Sequence, residues 1–236
     1  MQINEAIEHP DRRNKSMKHT WSAVDVPPQR GRTAIITGGG GGIGYQIALQ
    51  LATQCALFVL ASRNIERTVE AARMIEAAVP GALVDAQHLD LGDLDSVVSF
   101  VDRFSADHSG LDILINNAAV SGGPHRLTKN GCEIHFQVNY LGHFLLTDRL
   151  LPSLKSRPGS RVVSVSSDIA AQGRIDFDDL QSEKKYGFIA AYAQSKLANL
   201  LFGLELERRL RREGADISSL VSNPGVAKSN LLQSKK

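Results

Sequence analysis

Five consecutive glycines at Gly38–Gly42 constrain the fold of this chain more than any other feature of its sequence. Glycine loses more conformational freedom on folding than any other residue, so a run of five inside a folded domain needs a structural reason. In the stretch TAIITGGGGGIGYQIALQLA, an apolar segment of strand length precedes the run, and a segment with helical spacing of apolar residues follows it. The sequence therefore predicts a strand, a glycine-rich turn and a helix in direct succession.

Short apolar segments alternate with helical patterns along the rest of the chain. The predicted strands, read as buried, are Thr33–Thr37, Leu57–Ala61, Leu83–Gln87, Asp112–Asn116, Arg161–Ser166 and Asp216–Ser222. The predicted helices are Ile43–Thr53, Ile65–Ala78, Leu94–Ala106, Cys132–Leu151 and Ile189–Arg212. This alternation predicts an α/β fold with a doubly wound parallel sheet, in which ligands bind outside the carboxyl ends of the strands.

Length, charge and cysteine content narrow the class of protein. The 236 residues suffice for one domain, which we place at residues 31–236 behind a polar N-terminal arm of residues 1–30. A net charge of +2 gives no reason to expect a nucleic-acid partner, and no segment approaches the roughly 20 apolar residues of a membrane span. The two cysteines, Cys55 and Cys132, lack a CxxC spacing, which favours a reducing compartment and leads us to expect a cytoplasmic protein.

The glycine run occupies the first strand-to-helix turn, where a doubly wound sheet binds a dinucleotide. Glycine lets phosphate oxygens approach the backbone, and the N-terminus of the next helix supplies free N–H groups. Two spacings fit this interpretation: the general pattern GxGxxG from Gly39, and TGxxxGIG from Thr37. The second pattern assigns cofactor contacts to Gly38, Gly42, Ile43 and Gly44. The alternative is a flexible turn that binds no ligand.

The residues that follow the second and third strands bear on the choice of cofactor. The second strand leads to Ser62 and Arg63, without the acidic residue that would accept a hydrogen bond from the ribose 2′-hydroxyl of NAD. A guanidinium there can pair with a 2′-phosphate, so Arg63 favours NADP(H), with NAD(H) as the alternative. Arg63 could instead be a solvated charge at a helix start. Asp90 lies either beside the adenine or in a helix cap near Gly92.

Only one tyrosine has a lysine one helical turn later. Of the four tyrosines, Tyr192 alone is followed four residues on by a lysine, Lys196. A free phenol titrates near pH 10, and a neighbouring ammonium would favour the phenolate and lower its pKa. The pair is therefore a candidate for acid or base chemistry.

Six short motifs occur in a fixed order along the chain. They are TGGGGGIG, NNAA at Asn116–Ala119, VNYLG around Asn139, VSVSS ending at Ser167, YAQSK at Tyr192 and NPG at Asn223–Gly225. With these motifs the chain, from about residue 31 to its end, resembles the short-chain dehydrogenase/reductase family, whose fold is of the Rossmann type. The segments ASRNIER, DFDDLQSEKKY and AYAQSKLANLLF resemble the retinol-dehydrogenase-like branch of that family.

The resemblance implies a role for each catalytic candidate. Tyr192 would exchange a proton with the substrate carbonyl oxygen, and Ser167, chosen over Ser166, would orient that oxygen. Lys196 would bind the ribose hydroxyls of the nicotinamide nucleotide and lower the pKa of the tyrosine. Asn139 would hold a water that links the lysine to solvent. The family's chemistry is hydride transfer between the nicotinamide and the carbon of a carbonyl or alcohol, here expected to be a small and apolar compound.

The resemblance also implies cofactor contacts and an assembly. Asn117 would lie along the cofactor, Pro224 and Gly225 would lie near the nicotinamide, and Ser229 would stand where the family often has a contacting threonine. The segment between the catalytic serine and tyrosine would border the substrate. Homodimers in the family pair the helices that correspond here to residues 132–151 and 189–212.

Three features depart from the family pattern. NNAA replaces NNAG, and glycines replace the polar or basic residues usual within the turn, so the preference for NADP(H) rests largely on Arg63. The printed sequence ends at Lys236, whereas family members continue through a substrate-covering helix and a seventh strand. We therefore expect six strands, an exposed sixth strand and an open substrate pocket. The alternative function is a catalytically weak dinucleotide-binding or regulatory protein.

Two histidines on the helix around Asn139 resemble a metal pair at first sight. They are His135 and His143, and the sequence supplies no third ligand beside them. We interpret both as packed or solvated side chains and predict no metal site.

Overall fold

The computed structural model describes residues 25–54 and 57–225, and six parallel strands form its sheet. The strands are β1 Thr33–Thr37, β2 Leu57–Ser62, β3 Leu83–His88, β4 Ile113–Asn116, β5 Ser160–Val165 and β6 Ile217–Ser222. They lie in the order β3-β2-β1-β4-β5-β6, which reverses direction at β1 and is that of a doubly wound Rossmann-type sheet. The predicted α/β fold class is confirmed.

Five α-helices and two shorter helical segments connect the strands. The helices are α1 Gly42–Ala52, α2 Ile65–Ala78, α3 Leu94–Asp107, α4 Gly142–Lys155 and α5 Phe188–Glu213. A π-helical turn at Phe136–Leu141 leads into α4, and a 3₁₀ helix at Asp168–Gln172 follows β5. None of the helices within the described ranges is long and apolar enough to span a bilayer.

The core consists of two apolar layers, one on each face of the sheet. In β1, Ile35 contributes to the layer beneath α3, α4 and α5, while Ala34 and Ile36 contribute to the layer beneath α1 and α2. Side chains alternate between faces along a strand, so a strand that is buried on both faces is apolar throughout. The central position of β1 therefore explains the uninterrupted apolar segment before the glycines.

The two edge strands correct the expectation that all six strands are buried. Leu83 of β3 is 63% exposed and Leu220 of β6 is 48% exposed, because each strand has a neighbour on one side only within the described residues. The expectation of an exposed sixth strand agrees with this arrangement. Residues 1–24, 55–56 and 226–236, which include Trp21, Cys55 and Ser229, lie outside the described residues.

The predicted helix Cys132–Leu151 is wrong at both ends. Cys132 belongs to a turn in which Thr128 N–H donates to the Cys132 carbonyl at 2.8 Å, and Leu127 pairs with Glu133 in an isolated bridge. At the other end, α4 continues through Pro152 to Lys155. The apolar periodicity did not distinguish the π-helical turn from an α-helix. The other predicted strands and helices agree with the structure to within one residue at each end, and Thr33–Thr37 and Ile65–Ala78 agree at both ends.

Candidate active site

The outer glycines of the run are required by the geometry of the turn. Gly38 and Gly42 have φ angles of +70° and +55°, a left-handed conformation that favours glycine. At Gly44, a Cβ atom would lie 2.6 Å from the carbonyl oxygen of Gly38. The residues that the structure requires to be glycine thus match the TGxxxGIG spacing.

The middle glycines let β2 and α2 approach the turn. A Cβ atom on Gly39 would lie 2.8 Å from Leu60 Cδ2, and one on Gly40 would lie 3.1 Å from Thr68 Oγ1. A Cβ atom on Gly41 would lie 2.7 Å from Nη2 of Arg67. The three middle glycines therefore let side chains of β2 and α2 pack directly against the backbone of the turn.

The turn has the donor set that a dinucleotide pyrophosphate requires. No side chain caps the N-terminus of α1, and its first turn carries no acidic residue. Free N–H groups and the positive end of the helix dipole therefore lie beside a glycine-lined backbone, which is the arrangement that binds phosphate.

The end of β4 is fastened to the base of the glycine turn. The Asn117 amide nitrogen Nδ2 donates to the Thr37 carbonyl at 2.8 Å, and the backbone N–H groups of Asn117 and Ala118 donate to Thr37 Oγ1 at 2.9 Å. The predicted place of Asn117 at the end of the fourth strand agrees with the structure. One of the two hydrogens of its side-chain amide is thus engaged with protein.

Beneath Thr37, a buried histidine that the sequence analysis interpreted as packed or solvated takes part in the same network. Nδ1 of His143 lies 2.9 Å from the Asn139 carbonyl oxygen, and Nε2 lies 2.9 Å from Thr37 Oγ1. Because a carbonyl only accepts, Nδ1 carries the proton and the Thr37 hydroxyl donates to Nε2. Burial lowers the pKa of His143 to about 4, so the ring is neutral at pH 7.

Asn139 lies in the π-helical turn and joins two segments of the site. Its Oδ1 accepts the Val120 N–H at 2.8 Å, and its Nδ2 donates to the Val120 carbonyl and to Ser195 Oγ. Turns of π-helix recur at functional sites. Both amide hydrogens of Asn139 are thus engaged, and the role of holding a relay water stays a prediction.

The structure distinguishes between the two candidate serines. The buried Ser166 hydroxyl donates to the Lys196 carbonyl at 2.9 Å and so fastens β5 to α5. Ser167, the next residue, lies close enough to the Tyr192 phenol for its hydroxyl to act to lower the pKa of Tyr192. Of the two, only Ser167 is placed to act beside the tyrosine hydroxyl.

Lys196 is almost completely buried beside Tyr192. Its ammonium lies 5.7 Å from the centre of the Tyr192 ring and donates to the Val165 carbonyl at 2.9 Å. Burial lowers the pKa of Lys196 to about 8 because the apolar surroundings disfavour its charged form.

The expectation that Lys196 lowers the pKa of Tyr192 is wrong for this structure. Burial of the phenol raises its pKa, and the hydrogen bond with Ser167 offsets this only in part. The ammonium lies over the ring and is hydrogen-bonded to Val165, so it does not reverse the effect of burial. The sequence predicted the one-turn spacing of the two residues, but it could not predict how deeply their side chains are buried.

A family model described as short chain dehydrogenase matches residues 32–236. This chain belongs to the short-chain dehydrogenase family. It is 45% identical over 202 residues to retinol dehydrogenase 13 of Homo sapiens, a match that covers 85% of this chain and 60% of that protein. The chain lies in the retinol-dehydrogenase-like branch and spans less than two thirds of the length of the curated relatives it matches.

Two solved structures show the same fold. A putative uncharacterized protein from Mycobacterium paratuberculosis is 41% identical with a TM-score of 0.80, and the match covers 90% of this chain and 75% of that one. A metagenomic short-chain oxidoreductase in complex with NADP is 27% identical with a TM-score of 0.67, and the match covers 84% of each chain.

The remaining predicted cofactor residues of this short-chain dehydrogenase lie at the carboxyl ends of strands. Arg63 follows β2, is exposed and has no ion-pair partner within the described ranges. Asp90 follows β3 and accepts the Gly92 N–H at 2.8 Å in a turn before α3. The N-cap of α3 is Asp93, so the alternative of a helix cap at Asp90 is wrong. Pro224 and Gly225 follow β6 and are exposed, while Ser229 lies outside the described residues.

A buried pair of side chains, Glu133 and His135, borders Tyr192, and no pattern in the sequence indicated that the two interact. Glu133 Oε1 lies 2.7 Å from Nδ1 of His135, and both side chains are essentially inaccessible. Burial acts to raise the pKa of Glu133, but the bonds from His135 and the Phe136 N–H outweigh it and leave the pKa below its ordinary value. The His135 ring meets the Tyr192 ring edge-on, with 6.3 Å between ring centres. The Glu133–His135 pair, called the dyad below, thus packs against the Tyr192 ring.

The segment between Ser167 and Tyr192 is anchored on the same dyad. Gln181 Oε1 accepts the Glu133 N–H at 2.6 Å, and the Gln181 carbonyl lies 2.8 Å from Nε2 of His125. The Tyr186 hydroxyl donates to the Gly123 carbonyl at 3.0 Å. These contacts fix residues 173–187 in place, although the segment has no regular helix or strand.

Proposed function

We propose that this short-chain dehydrogenase interconverts a carbonyl compound and an alcohol by hydride transfer with NADP(H). The observation that carries the proposal is the group formed by Tyr192, its neighbour Ser167 and the buried ammonium of Lys196, which lies 5.7 Å from the centre of the Tyr192 ring. The glycine turn follows the carboxyl end of β1, the edge of a doubly wound sheet at which ligands bind. In this proposal, Tyr192 would donate the proton and the glycine turn would bind the cofactor phosphates in the crevice at this edge of the sheet.

The residues at this edge fit a nicotinamide dinucleotide. The cofactor supplies the hydride when it is bound. The N–H groups of the glycine turn and of the first turn of α1 would hold its pyrophosphate. Asn117 at the end of β4, with Pro224 and Gly225 after β6, would border its nicotinamide half.

The proton is handled by the side chains of this chain. During reduction, the Tyr192 hydroxyl donates its proton to the substrate oxygen while the Ser167 hydroxyl donates a hydrogen bond to the same atom. Because burial keeps the phenol protonated, Tyr192 is a proton donor at neutral pH. The Lys196 ammonium has further N–H hydrogens beyond the one given to Val165, and these would hold ribose hydroxyls and return a proton to the tyrosine.

Support for the cofactor and the substrate class comes from separate observations. Arg63 at the end of β2 favours a 2′-phosphate, and the metagenomic oxidoreductase with the same fold is in complex with NADP. The similarity to retinol dehydrogenase 13 supports an apolar carbonyl or alcohol as the substrate.

A steady-state assay with NADPH and a panel of aldehydes and ketones that includes retinal tests the proposal. We expect turnover by the wild-type chain, and a loss of at least about 100-fold in kcat for Tyr192→Phe, since general acid catalysis contributes on this scale. Tyr45→Phe removes the hydroxyl of a tyrosine that has no lysine four residues later, and it serves as the matched control. Turnover that survives Tyr192→Phe would remove the assigned proton donor.

One observation favours a second candidate function. The pKa of Tyr192 is raised rather than lowered, as expected for a catalytically weak dinucleotide-binding or regulatory protein. Cofactor binding without turnover of any compound in the panel would support that alternative.

We further propose that the protein forms a homodimer through the outer faces of α4 and α5. The rings of Tyr140, Phe144 and Phe202 meet there with their planes inclined by 60° to 66° and with 5.5 to 6.3 Å between ring centres. They border an apolar groove of about 620 Å³, and Leu204 on α5 is 59% exposed. Large exposed apolar patches mark association sites.

Sedimentation velocity tests the dimer. We expect Leu204→Glu to shift the protein from dimer to monomer because the charge would be buried at the interface. Met74→Glu, on the similarly exposed surface of α2, should leave the dimer intact. A wild-type chain that sediments as a monomer at micromolar concentration would contradict this assembly.

A further inference from the structure

A guanidinium occupies the space that Gly41 leaves open. An added Cβ atom at Gly41 would lie 2.7 Å from Nη2 of Arg67, 3.3 Å from its Cζ and 3.4 Å from its Nε. Three atoms of the guanidinium group thus lie against the backbone of the turn. The φ angle of Gly41 is 167°, which any residue adopts. Glycine at this position is therefore not required by conformation, and a side chain there would displace the end of the Arg67 side chain from its present place.

The charge of Arg67 has no partner within the described residues, although its helix offers several carboxylates. Arg73, two turns further along α2, lies 3.9 Å from a Glu70 carboxylate oxygen, and Arg208 and Arg209 both bond to Glu205. The backbone of Arg67 is fixed by the N-cap of α2, where Asn64 Oδ1 accepts the Arg67 N–H at 2.7 Å. An unpaired cation is thus held at a definite place beside a phosphate-binding turn.

Arg63 lies at the same junction between β2 and α2. It precedes the Asn64 cap, is exposed and also has no ion pair in the described ranges. The glycines of the turn replace the residues from which a second cation would ordinarily come. Arg67, which belongs to α2, places a cation beside Gly41 instead.

We propose that Arg67 binds the 2′-phosphate of NADP(H) together with Arg63, and that Gly41 is a glycine because it admits the Arg67 guanidinium. The inference rests on the proposed function. A phosphomonoester presents three acceptor oxygens and close to two negative charges, and a guanidinium fork matches that geometry in a way that a ribose hydroxyl does not. Arg67 therefore determines cofactor specificity, and the preference for NADP(H) does not rest on Arg63 alone.

Titration of the full chain with NADPH and with NADH, followed by nicotinamide fluorescence, tests the proposal without requiring turnover. We expect Arg67→Gln to weaken NADPH binding by about 10- to 100-fold, the range for loss of a charge-assisted contact, and to leave NADH binding within about twofold. Arg73→Gln removes an equivalent exposed charge from the same helix and should change neither affinity. In Arg67→Gln the affinity for NADPH should also fall less steeply with added salt.

A second variant tests the spatial claim while keeping every charge. Gly41→Ala places a methyl group where the guanidinium lies, and the extended backbone there accepts alanine without strain. We expect Gly41→Ala to weaken NADPH binding selectively, and to have little further effect when combined with Arg67→Gln. Equal weakening of NADPH and NADH by Gly41→Ala would mean that the methyl group acts on the turn itself, against the proposal.

The outcomes separate this inference from the function on which it rests. If Arg67→Gln leaves the ratio of NADPH to NADH affinities unchanged, the role of Arg67 is overturned. The proposed function then survives, provided that the wild-type chain binds NADPH and loses turnover with Tyr192→Phe. A wild-type chain that binds neither cofactor overturns both.

Discussion

The proposed catalytic centre and the rim of the glycine turn, which carries Arg63 and Arg67, satisfy their polar groups in opposite ways. Beneath the tyrosine, Lys196, His143 and Asn139 are buried and bonded to protein atoms at 2.8 to 3.1 Å. On the rim, Arg63 and Arg67 are exposed and lack ion pairs within the described ranges. The polar groups of the centre therefore find their partners within the folded protein. The two arginines of the rim instead have charges free to bind a ligand.

This difference predicts which property each region controls. An unsatisfied buried polar group costs free energy of unfolding whether or not a ligand is present, whereas an exposed charge contributes little to stability. Substitutions in the centre should thus reduce both stability and turnover. Substitutions on the rim should change the affinity for NADP(H) and leave the melting temperature almost unchanged.

The largest effect on stability is expected from the buried dyad. Glu133→Ala would leave the His135 ring and the Phe136 N–H without their acceptor, at a cost of about 3 kcal/mol in the free energy of unfolding, since breaking a buried pair leaves polar groups unpaired. Glu133→Gln keeps an acceptor oxygen and should cost less. Denaturant unfolding of the full chain measures both.

The exposed cluster around Glu205 provides the control for the dyad. Glu205 bonds to Arg208 and Arg209 in solvent, so Glu205→Gln should change the unfolding free energy far less than Glu133→Ala. The pKa of Glu133 is depressed in the folded state, so its contribution is present above the unfolded pKa and declines as pH falls through the folded value. Equal losses for Glu133→Ala and Glu205→Gln at pH 7 would contradict the contrast between centre and rim.

The elements of the fold were predictable because each carries a periodicity that depends on neighbours along the chain. The apolar segment of β1, the glycines that follow it and the one-turn spacing of Tyr192 and Lys196 are local patterns. The choice of Ser167 over Ser166 came from resemblance to a family, and the structure adds its reason, since the Ser166 hydroxyl bonds to the α5 backbone.

The parts that were not predicted depend on contacts between distant segments. Arg67 matters because α2 packs on Gly41, and His143 matters because α4 lies beneath the end of β1. The raised pKa of Tyr192 depends on burial depth, which a spacing of four residues does not encode. The one-residue shifts at strand ends are of the size by which boundaries ordinarily differ.

A smaller effect, expected at Thr37, tests whether the two regions act separately. The Thr37 hydroxyl donates to His143 Nε2 and accepts from the backbone of Asn117 and Ala118, so it joins the buried centre to the base of the turn. We expect Thr37→Val and His143→Gln each to lower kcat/KM by about fivefold to twentyfold, as for one or two lost buried hydrogen bonds. Because the two side chains share one bond, the double variant should lose less than the product of the single losses.

Two further variants separate positioning from general stability. Thr37→Ser keeps the hydroxyl and should restore most of the kcat/KM lost in Thr37→Val. Ser160→Ala removes a buried bond to the Leu154 carbonyl at the amino-terminal end of β5, and should lower the melting temperature while leaving kcat/KM unchanged. If Ser160→Ala reduced kcat/KM as much as Thr37→Val, the hydroxyl at the end of β1 would matter only for folding. If Thr37→Val also altered the ratio of NADPH to NADH affinities, the centre and the rim would be one coupled unit, and the contrast drawn between them would fail.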